Sequence, residues 1–128
     1  MSRTSIVVAQ EESEQLGEMP VGLHAAGYDT MTATDGLAAY WAIEKGNPGA
    51  VVLDLALPGM SGFRLVQLLR RDPRWRQVPL IVTSAHSFEE VEEIAREGVD
   101  GFLARPFTTK DLVSRLEYAL ARNSLRSA

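Results

Sequence analysis

The sequence predicts a single α/β domain built on a parallel sheet with helices on both faces, and three observations carry that expectation. Short β-branched runs alternate with runs of 3.6-residue periodicity along the whole chain, the pattern of repeated βα units. The 128 residues suit one domain with one buried interior. At 45% hydrophobic and 23% charged, the composition lies near the globular average and far from the high-charge, low-apolar signature of disorder.

The elements follow in order. Residues 5–9 form the first strand around Ile6-Val7-Val8-Ala9. The helix expected between residues 13 and 26 contains Gly17, Pro20 and Gly22. An interior Pro costs about 3 kcal/mol and each Gly about 1 kcal/mol relative to Ala, so a kinked, short or partly unwound segment is expected there. A strand over residues 29–33 leads to a helix over 35–45, stopped by Gly46 with Pro48 beyond. Residues 50–54 form the third strand. The helix over 62–71 repeats apolar residues at Phe63, Leu65, Val66, Leu68 and Leu69 and stops before Pro73. After a strand over 80–84, Ser87 and Glu90 form a capping box ahead of Val91, Ile94 and Ala95. After a strand over 101–104, Thr108 and Asp111 start the fifth helix in the same way, ahead of Leu112, Leu116 and Leu120. Residues 1–122 thus make one domain, and the polar segment 123–128 is expected to be a flexible, fraying tail.

Composition excludes several functions. There is no cysteine, so disulfides, Cys-ligated metal sites and thiol nucleophiles are ruled out. The formal net charge of −4, from 13 Lys and Arg against 17 Asp and Glu, argues against direct nucleic-acid binding, which depends on neutralising phosphates. The first apolar run ends at Gln10, too short for a signal-peptide core, and no run is long enough to span a bilayer. A cytoplasmic protein without membrane contact is the expectation.

In an open parallel sheet, reactive groups collect beyond the carboxyl ends of the strands. The residues there are Gln10, Glu11 and Glu12 after the first strand, Asp54 ending the third, Ser84 ending the fourth, and Arg105 and Pro106 after the fifth. Alone, Asp54 could be a helix cap or turn residue. Carboxylates, a hydroxyl and a guanidinium at four strand ends point instead to one reactive rim. Such a set suits a carboxylate nucleophile beside a hard cation such as Mg²⁺, which takes one or two carboxylates plus waters and phosphate oxygens. Phosphoryl transfer depends mainly on positioning and charge stabilisation, and its product on this rim would be an aspartyl phosphate.

Residues 54–62 (DLALPGMSG), 79–85 (PLIVTSA) and 98–107 (GVDGFLARPF) resemble the receiver domains of two-component response regulators, over about residues 6–120. The resemblance implies a flavodoxin-like three-layer sandwich with a five-stranded parallel sheet in the order 2-1-3-4-5. It implies Asp54 as phosphoacceptor, Ser84 and Phe102 as switch residues, and Arg105 at the phosphoryl-contacting position usually held by Lys. Gln10 and Glu11 match the acidic pair. Mg²⁺ would then be held by Glu11, Asp54 and the Ala56 backbone carbonyl, with Gln10 acting through water. A cis Arg105-Pro106 peptide is also implied.

The resemblance further implies a phosphoacceptor rather than an enzyme. Its partners would be a histidine kinase or phosphotransfer protein upstream and a protein partner or effector domain downstream.

Three positions depart from the family pattern. Gln10 is neutral where Asp is usual, Glu11 is one methylene longer, and Arg105 presents a planar fork in place of a point charge. The family site carries three carboxylates and one Lys, a charge of −2, whereas Glu11, Asp54 and Arg105 here sum to −1. Metal affinity is expected to fall, and Arg105 could pair with Asp54 where metal and phosphate would sit. Two readings stay open: a phosphoacceptor with weaker Mg²⁺ dependence, or a pseudo-receiver acting only as a phosphorylation-independent interaction module.

An FMN-binding flavodoxin would need a Ser/Thr/Gly-rich loop after the first strand, where Gln10-Glu11-Glu12 stands. A haloacid-dehalogenase-type phosphatase would need a second Asp where Ala56 stands. His86 lies where the family tunes phosphoryl hydrolysis, but a solvent-exposed loop His is the simpler reading, and His24 reads as structural. Leu37 and Trp41 share the outward face of the second helix, where they could mark a partner surface or lie partly buried under neighbouring side chains. Arg64, Arg70, Arg71, Arg74 and Arg76 make the third helix and its loop basic; Glu89, Glu90, Glu92, Glu93 and Glu97 make the fourth helix acidic. The latter is the expected partner surface, with a homodimer through the fourth and fifth helices as one use.

Overall fold

The computed structural model describes residues 3–11, 13–85 and 88–127. Strands β1 (Thr4–Ala9), β2 (Tyr28–Ala33), β3 (Ala50–Asp54), β4 (Leu80–Ser84) and β5 (Gly101–Ala104) alternate with helices α1 (Glu14–Ala25), α2 (Gly36–Gly46), α3 (Gly62–Arg71), α4 (Phe88–Ala95) and α5 (Thr109–Ser127). The sheet is wholly parallel, in the order β2-β1-β3-β4-β5.

Alternate side chains of each strand feed two interiors, as the two-residue strand period requires. Val7, Val51, Leu53 and Val82 pack with Ile43 of α2, Leu65 and Leu69 of α3 and Ile94 of α4. Ile6, Val8, Val52 and Ile81 pack with Met19 and Leu23 of α1 and Leu112 and Leu116 of α5. The result is a three-layer sandwich with α1 and α5 on one face. Among the described residues, no helix is long and apolar enough to cross a membrane.

The main correction concerns α1, which runs unbroken over Glu14–Ala25 with Pro20 inside it. Ser13 caps it, its hydroxyl oxygen accepting from the Leu16 N–H at 3.2 Å. Pro20 gives up a hydrogen bond to the Leu16 carbonyl, but Leu16, Met19 and Leu23 are all buried against the sheet. At about 1.5–3 kcal/mol for each buried side chain, that face offsets the Pro and Gly penalties. Gly22 has a packing reason of its own, because a Cβ there would run into the Thr109 side chain at the start of α5.

Helix α2 is capped by Asp35, whose Oδ1 accepts from Ala38 N–H at 2.7 Å. Its left-handed terminal residue is Asn47 rather than Gly46. Thr108 and Asp111 form the reciprocal cap of α5 at 3.0 Å in both directions. The segment 123–128, expected to fray, is helical as far as Ser127. Glu12, His86 and the Ser87–Glu90 capping box fall outside the described residues, or on side chains that the structure does not describe.

The basic run is also largely neutralised within the fold. Arg70 pairs with Asp100 at 3.1 Å, and Arg71 with Glu97 at 3.8 Å. Arg74 grips both carboxylate oxygens of Glu44 at 2.7 Å and also pairs with Asp72. These contacts tie α3 and its loop to α2 and to the α4–β5 connection.

Candidate functional site

The sheet register brings the four strand ends into line. Ala9 lies opposite both Ala33 and Leu53, Asp54 opposite Thr83, and Ser84 opposite Ala104. Backbone bonds bind the loops to this edge: Gln10 N–H donates to the Ala33 carbonyl, Leu55 N–H to the Thr83 carbonyl, and Arg105 N–H to the Ser84 carbonyl. Gly62, at the start of α3, sits directly against the Asp54 and Leu55 backbone, where a Cβ would overlap it. Helix α3 therefore holds the end of β3 at closest approach.

Asp54 is 1% exposed, yet both its carboxylate oxygens are occupied. Oδ1 accepts from Ala56 N–H at 3.0 Å. Oδ2 is in contact with Nη2 of Arg105, whose side chain is 28% exposed. A buried carboxylate needs such compensation, since leaving it unpaired costs several kcal/mol. Burial draws the Arg105 guanidinium below its ordinary pKa while the Glu11 carboxylate opposes that shift. The group remains charged at every physiological pH. Both its Nε and its Nη2 are buried without a hydrogen-bond partner among the described residues, so Arg105 meets Asp54 as an ion-pair contact and not through a hydrogen bond.

Gln10 is 3% exposed. Its Nε2 donates to Gln15 Oε1 at 3.2 Å and to Ser13 Oγ at 3.4 Å. Gln15 Nε2 in turn donates to the Phe107 carbonyl at 2.8 Å. Gln15 is a rim residue that sequence reasoning did not single out; its only signal was its place in the first turn of a helix. Glu11 is exposed, and Ser84 is 1% exposed at the end of β4. Phe102 on β5 is partly buried against the α2/α3/α4 interior. The Arg105-Pro106 peptide is cis.

This donor set does not fit a divalent cation. A hard cation such as Mg²⁺ requires oxygen ligands with lone pairs free to face it. Here Arg105 sets a full positive charge against Asp54 Oδ2, and Gln10 offers a neutral amide oxygen in place of a carboxylate, which leaves the buried part of the pocket without the net negative charge that holds a divalent cation. Among the described residues there is no group of three His, Asp or Glu placed to hold a metal.

The profile of the response regulator receiver domain matches residues 6–117. The chain is 32% identical over 123 residues to the DNA-binding response regulator MtrA of Mycolicibacterium paratuberculosis, covering 94% of this chain and 53% of that protein. It is 31% identical over 119 residues to the phosphate regulon transcriptional regulatory protein PhoB of Pseudomonas aeruginosa, covering 92% and 52%. It therefore spans about half the length of these curated relatives.

Among solved structures, a response regulator of Chloroflexus aurantiacus superposes with a TM-score of 0.86 at 26% identity, covering 94% of this chain and 99% of that one. The receiver domain of Francisella response regulator 1452 superposes at 0.84 with 28% identity, covering 93% and 98%. Sheet order, strand-end residues and these similarities together make the chain a member of the response regulator receiver domain family of two-component systems.

Proposed function

We propose that this domain transmits its signal by protein–protein contact, as a receiver whose pocket is closed by its own Arg105 and whose output does not wait on a phosphoryl group. It turns over no substrate. The observation that supports this reading is the state of Asp54, with Oδ1 bonded to Ala56 N–H and Oδ2 against the Arg105 guanidinium. A carboxylate attacking phosphorus needs an open line of approach to one oxygen and a cation facing the phosphoryl oxygens. In this pocket the cation faces the nucleophile instead. The downstream partner is a protein surface or an effector domain, in keeping with relatives about twice this length.

One observation favours a second reading, in which a histidine kinase or phosphotransfer protein phosphorylates Asp54. The buried Arg105 Nε lacks a partner and could meet a phosphoryl oxygen beside Ser84 if the side chain swung away from Asp54. Incubation with a small phosphodonor, with and without Mg²⁺, followed by intact mass spectrometry separates the two. No mass increase is expected under conditions that modify an ordinary receiver. An adduct that disappears in Asp54→Asn would replace the first reading with the second.

A further inference from the structure

The amide chain across the rim has a fixed direction. The Phe107 carbonyl can only accept, so Gln15 must turn its NH₂ toward it and its Oε1 toward Gln10. Gln10 must then present its own NH₂ to that oxygen. An Asp or Glu at position 10 has no hydrogen to give at neutral pH and would set two oxygens against each other. The chain as it stands therefore needs a donor at position 10, which Gln supplies and an ionised acid does not. It also joins the β1–α1 loop to the β5–α5 loop, which carries Arg105 two residues before Phe107.

We propose that Arg105 is the resident cation of this pocket, taking the place of a divalent metal, and that Gln10 and Gln15 are the positioning residues that hold its loop against Asp54. The inference rests on the pocket being closed as described above. It explains the two departures at positions 10 and 105 as one device. A neutral amide at 10 removes a carboxylate that Arg105 could not also neutralise, and supplies the N–H that begins the tie to the Arg105 loop. With Glu11 exposed, Arg105 meets one buried carboxylate with one partly buried charge.

The test uses the whole chain, ¹⁵N-labelled. Mn²⁺ added to the wild type is expected to broaden the Ala56 and Glu11 amides no more than the amide of Glu117, an exposed carboxylate on α5. Selective loss of the Ala56 signal would overturn the proposal. Gln15→Leu removes both hydrogen bonds of that side chain; it is expected to shift the Arg105 Nε–H resonance and to speed exchange of that proton several-fold. Gln15→His, which can still donate to Phe107, is expected to restore part of the wild-type signal. An unchanged Arg105 resonance in folded Gln15→Leu would overturn the positioning role. Selective Mn²⁺ broadening without a phosphoryl adduct refutes this inference and leaves the function proposed above standing; an adduct formed without divalent metal does the reverse.

Discussion

Arg70 shows how much a single side chain contributes to the frame around the pocket. Its Nε donates to the Gly98 carbonyl at 2.6 Å, its Nη1 to the Trp75 carbonyl at 3.0 Å, and its Nη2 to Asp100 Oδ2 at 3.1 Å. Asp100 also accepts the Leu80 N–H at 2.8 Å, the first residue of β4. The two side chains are only 9% and 6% exposed, so removing one takes a charged partner away from a buried charge. We expect Asp100→Ala to cost about 3–5 kcal/mol in urea unfolding, the range for breaking a buried pair. Arg64→Ala on the same helix, where the side chain is exposed, should cost under about 0.5 kcal/mol. A run of arginines in sequence carries no sign of this difference, because charge and spacing do not reveal which guanidinium lies under a neighbouring loop. The same holds at the pocket: the sequence named Asp54 and Arg105 and allowed their pairing, whereas the Gln10–Gln15–Phe107 chain spans 92 residues between its last two members.

At the level of elements, local signals were enough wherever a helix begins with its own cap, and insufficient where packing overrides propensity. The α5 start is of the first kind. Thr108 and Asp111 satisfy each other's backbone N–H, and the bond from the Thr108 N–H, followed by that involving its hydroxyl, holds the Asp111 carboxyl below the usual aspartate range.

The cap's contribution is complete above the ordinary Asp value of about 3.9 and is lost as pH falls through the lower folded value. Amides in the first turn of α5 should therefore lose hydrogen-exchange protection in acid in the wild type. In Asp111→Asn that acid-dependent share of the loss should be absent. Thr108→Ala should cost about 1 kcal/mol near neutral pH. Helix α1 is of the second kind: Pro20 and two glycines predict a break, and the buried Leu16, Met19 and Leu23 prevent it.

Across the whole molecule, the parallel sheet turns five separate strand ends into one edge. Loop closure at Asp54 by Arg105 engages the β5–α5 connection directly, and Phe102 on β5 stays partly buried. A receiver driven by phosphorylation would alter the surface of α4, β5 and α5 on modification. On the proposed reading, in which the Arg105–Asp54 pair closes the pocket, such a change has no trigger. The exposed Glu92 and Glu93 on α4, and Lys110 and Arg115 on α5, can still meet a partner or a second copy through opposite charges, an attraction that salt would weaken. We therefore expect the sedimentation coefficient to be the same with and without beryllofluoride, a phosphoryl mimic, in the presence of Mg²⁺. Any self-association should depend on salt and not on the mimic. A mimic-dependent increase that Arg105→Lys enlarges would instead mean that the rim opens, and that the Arg105–Asp54 pair is one end of a switch rather than a permanent closure.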